Sequence, residues 1–244
     1  MDKQSGHNFH FEIEDRVKAK GWEIHSKLSY LDDVENKPRE IDFLAMQQRE
    51  SYNPRGNQVA IVAECKYLNH DVNFWFRDNP KNHKAYFVDG YSTDKLFIDE
   101  NRFHFFVPQK VAVALEEGGV KKDMYEAIIQ TSKALMYFRE DSQMLYTKGL
   151  FYSVVIYKGP GKLLDQDGNE LTDILFYHEY AWRSHRDSKI VTRHLYVDVI
   201  HESNLEHYIE DIYKREMDIL MSHVFIQNKI NESVDRGRRV NPAR

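Results

Sequence analysis

Apolar positions change their period several times along the chain, and each change marks an element. In residues 9–20, "FHFEIEDRVKAK", Ile13 and Val17 lie four apart among charges and the stretch stops before Gly21, so a short amphipathic helix is predicted. In "WEIHSKLSY", Trp22, Ile24, Leu28 and Tyr30 alternate with Glu23, His25, Lys27 and Ser29, the pattern of a strand with one wet face. The polar loop "LDDVENKP" leads into a strand over 39–46, "REIDFLAM". The turn-rich "QQRESYNPRGN" leads into another over 59–68, "VAIVAECKYL".

Residues 69–110 mix dense aromatics with prolines and turns, as in "FWFRDNPKNHKAYF" and "RFHFFVP", and read as an irregular insert. Residues 109–139 read as mostly helical, ending in "MYEAIIQTSKALMYF", where Ile128 and Leu135 belong to an apolar stripe recurring at three and four. "LFYSVVIYKG" is nearly continuous in apolar residues, as a strand buried on both faces would be. "DQDGNE" is a turn, 171–190 stays unassigned, and "HLYVDVI" is a further strand. A long helix, "SNLEHYIEDIYKREMDILMSHVF", opens with Ser203 as its N-cap. The order helix, three strands, helix, strand, strand, helix fits one α/β domain over residues 1–230, followed by a basic tail at 231–244.

Bulk composition narrows the setting. At 244 residues with 41% hydrophobic content the chain can build a sizeable core. Its one cysteine, Cys65, excludes an intrachain disulfide and suits a reducing compartment. The first fifteen residues carry no signal-peptide pattern, and no run of eighteen apolar residues occurs, so no membrane span is expected and a cytoplasmic protein is. The net charge of −5 gives no field for a polyanion, although "RSHRDSKIVTRH" (Arg183, Arg186, Lys189, Arg193) and "RGRRVNPAR" are locally basic. Each basic stretch reads equally as a solvated loop or end.

The candidate chemistry lies on the second and third strands. If Met46 stands opposite Ala60 in an antiparallel pair, Asp42 stands opposite Glu64, with Lys66 two places on along the same face. Two carboxylates about 5 Å apart repel by roughly 3 kcal/mol at an effective dielectric near 20. A lysine offsets part of that repulsion; a divalent cation held by the carboxylates and the Cys65 carbonyl would offset it more fully. The Cys65 thiol should turn to the opposite, buried face as a small hydrophobe. The plainer alternative makes Asp42 and Glu64 surface acids screened by salt and balanced by lysines. Against it, Glu64 and Lys66 interrupt an apolar run that reads as core, where charge is costly unless paired or useful.

"REID", a turn and "VAECK" resemble the PD-(D/E)XK nuclease superfamily, and "IEDRVKAKGWEIHSKLSYLDD" upstream resembles the first helix, strand and loop of its restriction endonuclease-like members. Residues of about 9–160 follow the family order. The resemblance implies a restriction endonuclease-like core, a central mixed sheet flanked by helices in α-β-β-β-α-β order, with a C-terminal strand and long helix. It implies that Asp42 and Glu64, with the Cys65 carbonyl, bind Mg²⁺, or Mn²⁺ in its place. Lys66 would then stand beside the attacking water and the scissile phosphate. It further implies that Glu14 on the first helix is the family's helical acid. Here the helix is about a turn short after Glu14, which keeps Glu12 as an alternative, and Ile41 rather than proline precedes Asp42. Gln130 is a candidate for a helical polar residue near the site.

The implied activity is metal-dependent endonucleolytic hydrolysis of DNA, in restriction of foreign DNA or DNA processing, with a homodimer as a candidate assembly. Held carboxylate oxygens and a lysine suit that chemistry, and a lysine close to a metal and partly out of water should have a depressed pKa. Two rivals stand beside it: a DNA-binding or assembly module on the same fold without cleavage, and an interaction protein unrelated to nucleic acid. Other chemistry is poorly supported. The twelve histidines show no HExxH spacing, "YKGPGKLL" lacks the Gly-Lys-Ser/Thr of a phosphate loop, and no G-x-S-x-G elbow occurs. Phe74, Trp75 and Phe76 near Arg77, Lys81 and Lys84 could stack bases, or pack an insert against the core.

Overall fold

A computed structural model describes residues 4–49, 57–78, 110–118, 122–141, 149–183 and 188–211. Helix α1 (Gln4–Ala19) buries Phe9, Ile13 and Val17, one stripe at a spacing of four, and Gly21 ends it in the left-handed region at φ +83°. An antiparallel meander follows: β1 (Glu23–Leu31), β2 (Pro38–Arg49) and β3 (Asn57–Tyr67). Two more antiparallel strands, β4 (Val72–Asp78) and β5 (Lys110–Glu117), precede helix α2 (Asp123–Met136), which runs into a π-helical turn at Tyr137–Asp141. Then come β6 (Gly149–Lys158), the short β7 (Leu163–Leu164) and β8 (Glu170–Leu171), β9 (Asp173–Arg183) and β10 (Ile190–His201). A 3₁₀ turn at Glu202–Asn204 leads into helix over 205–211.

The result is an α/β unit around one mixed sheet, in the order β1-β2-β3-β6-β10-β9-β5-β4-β7-β8. Strand β6 runs parallel to both neighbours, β3 and β10, and its residues 151–157 are all buried, as its continuous apolar sequence requires. The connection from β3 to the parallel β6 contains α2, whose Ala134 and Leu135 join Leu44, Met46, Ala60 and Val62 in one core cluster. Helix α1 covers the opposite face. Its Glu14 accepts from Ser26, which pairs with Phe43, and Phe43 faces away from Leu44.

Three readings of the sequence need correction. The stretch 69–110 is not wholly irregular, because residues 72–78 form β4; residues 79–109, including Lys81 and Lys84, lie outside the described residues. Residues 110–117, taken as helical, form β5, where β-branched Val111 and Val113 favour a pleated strand over a helix. The unassigned 171–190 contains β9, eleven residues long and antiparallel to β10. The chain divides into two compact units, Met1–Glu206 and His207–Arg244, and of the second only 207–211, all helical, are described. The rest of the expected long helix, the boundary at 230 and the basic tail lie outside the described residues.

Candidate metal centre at a fork between two strands

Strands β2 and β3 adopt the register in which Met46 pairs with Ala60, and their ladder ends at Phe43–Ala63. The next rung would join Asp42 and Glu64. Instead the Asp42 carboxylate accepts the backbone N–H of Cys65 at 2.7 Å, so a side chain substitutes for the ladder where the strands part. Asp42 is also missing from the β1–β2 ladder, which continues on either side of it, and Lys27 opposite has φ +52°, a left-handed value uncommon outside glycine. The alternation of β2 turns over here: Ile41 joins the same core cluster as Leu44 and Met46, which strict alternation forbids. The expectation that Glu40, Asp42, Leu44 and Met46 share one face therefore fails at Asp42, whose carboxylate points into the gap between strands.

Glu64 keeps to the regular pattern. It is buried, 4% exposed, on the α2 face in line with Ala60 and Val62, and Lys66 beside it holds its carboxylate at 2.9 Å. Burial pushes the Glu64 carboxyl up to about 7, with Asp42 adding to the rise and Lys66 opposing it. Lys66 stands above its ordinary value. Burial lowers it, but Glu64 and Asp42 together outweigh burial when no cation lies between them.

Cys65 faces the other way, as expected, yet is half-buried rather than fully enclosed. Burial and the charges of Asp42 and Glu64 push its thiol well above the ordinary value, so it stays protonated and is a poor nucleophile. In an antiparallel pair the N–H and C=O of one residue point to the same side. Because the Cys65 N–H meets Asp42, its carbonyl is directed into the same gap.

Glu14 and Glu12 separate clearly. Glu12 is exposed and pairs with Lys158 at 2.9 Å. Glu14 is 3% exposed; its Oε2 accepts from Ser26 at 2.6 Å, while its Oε1 is buried with no partner. It acts on the Cys65 thiol together with Asp42, Glu64 and Lys66, which places all of these around one residue. Glu14 nonetheless lies on the α1 face, across the sheet from Glu64. Among the described residues no three His, Cys, Asp or Glu side chains stand close enough to hold a metal ion as they are.

The donors suit a hard divalent cation in kind: two carboxylates and a carbonyl at the fork, and an unpartnered buried carboxylate oxygen beyond it. Such a cation would be held by Asp42, Glu64 and the Cys65 carbonyl. Of the basic and aromatic candidates, Phe74 is core and Trp75 is 40% exposed, while Arg77 stacks on Tyr177 at 5.8 Å. Arg186 lies outside the described residues.

Sequence reasoning missed a second polar group beside the fork. Asp32 and Asp33, read as part of a solvated loop, are 4% and 6% exposed. Asp32 binds Lys133 of α2 at 2.8 Å and the backbone N–H groups of Val34 and Glu35. Asp33 accepts from the Tyr180 hydroxyl and the Arg183 backbone N–H. Lys133, a charge set among the buried positions 131, 132, 134 and 135 of α2, was the available signal for a buried partner.

Comparison of the chain with protein families, curated protein sequences and solved structures finds no match in any of the three.

Proposed function

We propose that this protein is a divalent-metal-dependent nuclease of the PD-(D/E)XK type that hydrolyses phosphodiester bonds of DNA. The observation that carries the reading is the fork itself: Asp42 capping Cys65, the buried Glu64 raised to about 7, and Lys66 at 2.9 Å from Glu64. A buried acid beside a half-buried one, at a break in two strand ladders, is expensive for structure alone, and a perturbed carboxylate such as Glu64 in such a place points to function.

A bound Mg²⁺ would polarise the phosphate and acidify a water. Asp42, Glu64 and the Cys65 carbonyl would supply its oxygens. Lys66 would orient the attacking water and stabilise negative charge developing on the phosphate. The N–H of Cys65 fixes the Asp42 carboxylate, so its direction is set before any ligand arrives. Glu14 on α1 supports the site from the far face rather than adding a third direct donor.

The Glu64–Lys66 ion pair at 2.9 Å, in which the lysine occupies the carboxylate, favours a second reading, a DNA-binding module on the same fold that has lost cleavage. Supercoiled and linear DNA incubated with Mg²⁺, Mn²⁺ or chelator separates the two. The nuclease reading expects metal-dependent cleavage that disappears in Asp42→Asn and Lys66→Ala; equal nicking by all three proteins sinks the site, and no cleavage with retained DNA binding favours the module.

A further inference from the structure

A cavity of about 230 Å³ opens beside the fork, between the β1–β2 hairpin and α2. Its charged walls are already matched: Asp32 with Lys133 at 2.8 Å, and Glu35 with Arg39 at 2.8 Å. Glu126 is the remaining charge on the lining, so the cavity is neutral to slightly acidic and a phosphate gains nothing by entering. What it does offer is suited to a flat polar ring. Tyr125, 43% exposed, presents an aromatic face. Gln130 has an amide that both donates and accepts, and Glu126 accepts. Tyr30 closes the inner end of the cavity with its buried ring.

The cavity adjoins the candidate centre. Tyr30, on the lining, packs in the same core cluster as Ala60 and Val62 of β3, the strand that carries Glu64, and α2 joins that cluster through Ala134 and Leu135. Helix α2 therefore borders both.

We propose that this cavity receives one unpaired nucleobase of the DNA substrate, stacked on Tyr125 and bonded at its edge by Gln130 and Glu126. This rests on the nuclease reading for the identity of the ligand. It names the substrate class: a base in a duplex is stacked and paired, so a one-base cavity beside the cleavage point selects single-stranded, bulged or branched DNA over continuous duplex. Acceptors at Glu126 and Gln130 favour bases with an exocyclic amine, such as adenine or cytosine.

The test is equilibrium binding of three fluorescein-labelled duplexes to the full chain in chelator: fully paired, with one unpaired adenine, and with an abasic residue in place of that adenine. The unpaired adenine is expected to bind about tenfold more tightly than either of the others, since stacking one base contributes about 1–3 kcal/mol. Tyr125→Ala should abolish that preference and Tyr125→Phe retain it; Gln130→Ala, at a second position, should reduce it. Equal binding of the three probes, a preference undiminished in Tyr125→Ala, or no binding of any probe overturns the subsite. Metal-dependent cleavage lost in Asp42→Asn but without base preference removes the subsite and leaves the nuclease. A Tyr125-dependent preference without any cleavage leaves the subsite and removes the nuclease.

Discussion

The Asp42 carboxylate takes the backbone N–H of Cys65 at 2.7 Å, where β2 would otherwise have supplied the next ladder bond to β3. A strand pair that ends this way has its last bond made by a charged group, and that group is fixed in direction. Burial is the main reason Glu64 titrates high, and repulsion from the Asp42 carboxylate adds to it.

Asp42 variants should therefore divide by shape rather than by charge. Asn keeps an acceptor for the Cys65 N–H and removes the repulsion, so Asp42→Asn is expected to stay within about 1 kcal/mol of wild type in stability. Asp42→Ala leaves a half-buried N–H without its acceptor and should be less stable than Asn by about 1 kcal/mol. Urea unfolding at pH 7 in chelator checks the order; Ala as stable as Asn would mean that the hydrogen bond is unimportant.

Glu64 gives a pH dependence with a definite sign. Its folded value, about 7, lies above the ordinary 4.5. Its contribution to stability is thus fully present below about pH 4.5, where the carboxyl is protonated whether the chain is folded or not, and is lost as pH rises through about 7. The loss amounts to about 3 kcal/mol. Metal-free Glu64→Gln should gain on wild type by up to that amount between pH 4.5 and 8, less what Lys66 forfeits by losing its partner. Denaturant unfolding at the two pH values measures it, and an unchanged difference contradicts the burial of this acid.

The Asp32–Lys133 pair ties β1 to α2 and forms one wall of the cavity. Burial raises Asp32, but Lys133 and the two backbone N–H groups outweigh it and hold the carboxyl below its ordinary 3.8. Its stabilisation is present above pH 3.8 and is lost as pH falls further. Asp32→Ala should cost about 3 kcal/mol by leaving Lys133 unpaired, and the double variant with Lys133→Ala should cost less than the two single losses added. Additive losses in a double-mutant cycle would show the pair to be uncoupled.

Helix α2 has no capping side chain at Lys122; its first turn is held by Glu117, at the end of β5. The Glu117 carboxylate accepts from the N–H groups of Met124 and Tyr125 at 3.1 and 2.9 Å, with His70 at 3.2 Å. Glu117→Ala is expected to cost about 1–2 kcal/mol, and Glu117→Gln less. The comparison is read from thermal or urea unfolding; equal losses would assign the effect to charge alone.

What the sequence made legible follows the physics of each signal. Alternation and continuous apolar runs are local, so α1, β1, β2, β3 and β6 could be read from residues such as Ile13, Tyr30 and Val155. The Met46–Ala60 register could be assumed but not read, because residues 43–46 and 59–63 are buried on both faces and a slip would leave the apolar pattern unchanged. Strand β5 was lost because "KVAVALEE" satisfies both a helix and a strand pattern in isolation, and only pairing with β4 decides. The acids Asp42, Glu64 and Lys66 stood out as charges within apolar runs. The turnover at Asp42 did not, because it depends on Lys27 adopting φ +52°, a choice no period reveals. Asp32 and Asp33 looked like loop acids, since their burial is set by Lys133 and Tyr180, distant in sequence.

The most direct measurement is calorimetric titration of the purified chain with Mn²⁺ at pH 7.5, beside Asp42→Asn and Glu64→Gln. If the fork between β2 and β3 is a cation site, wild type binds with protons released from Glu64, and both variants bind at least tenfold more weakly. Equal binding by all three proteins, or none by wild type, would contradict it.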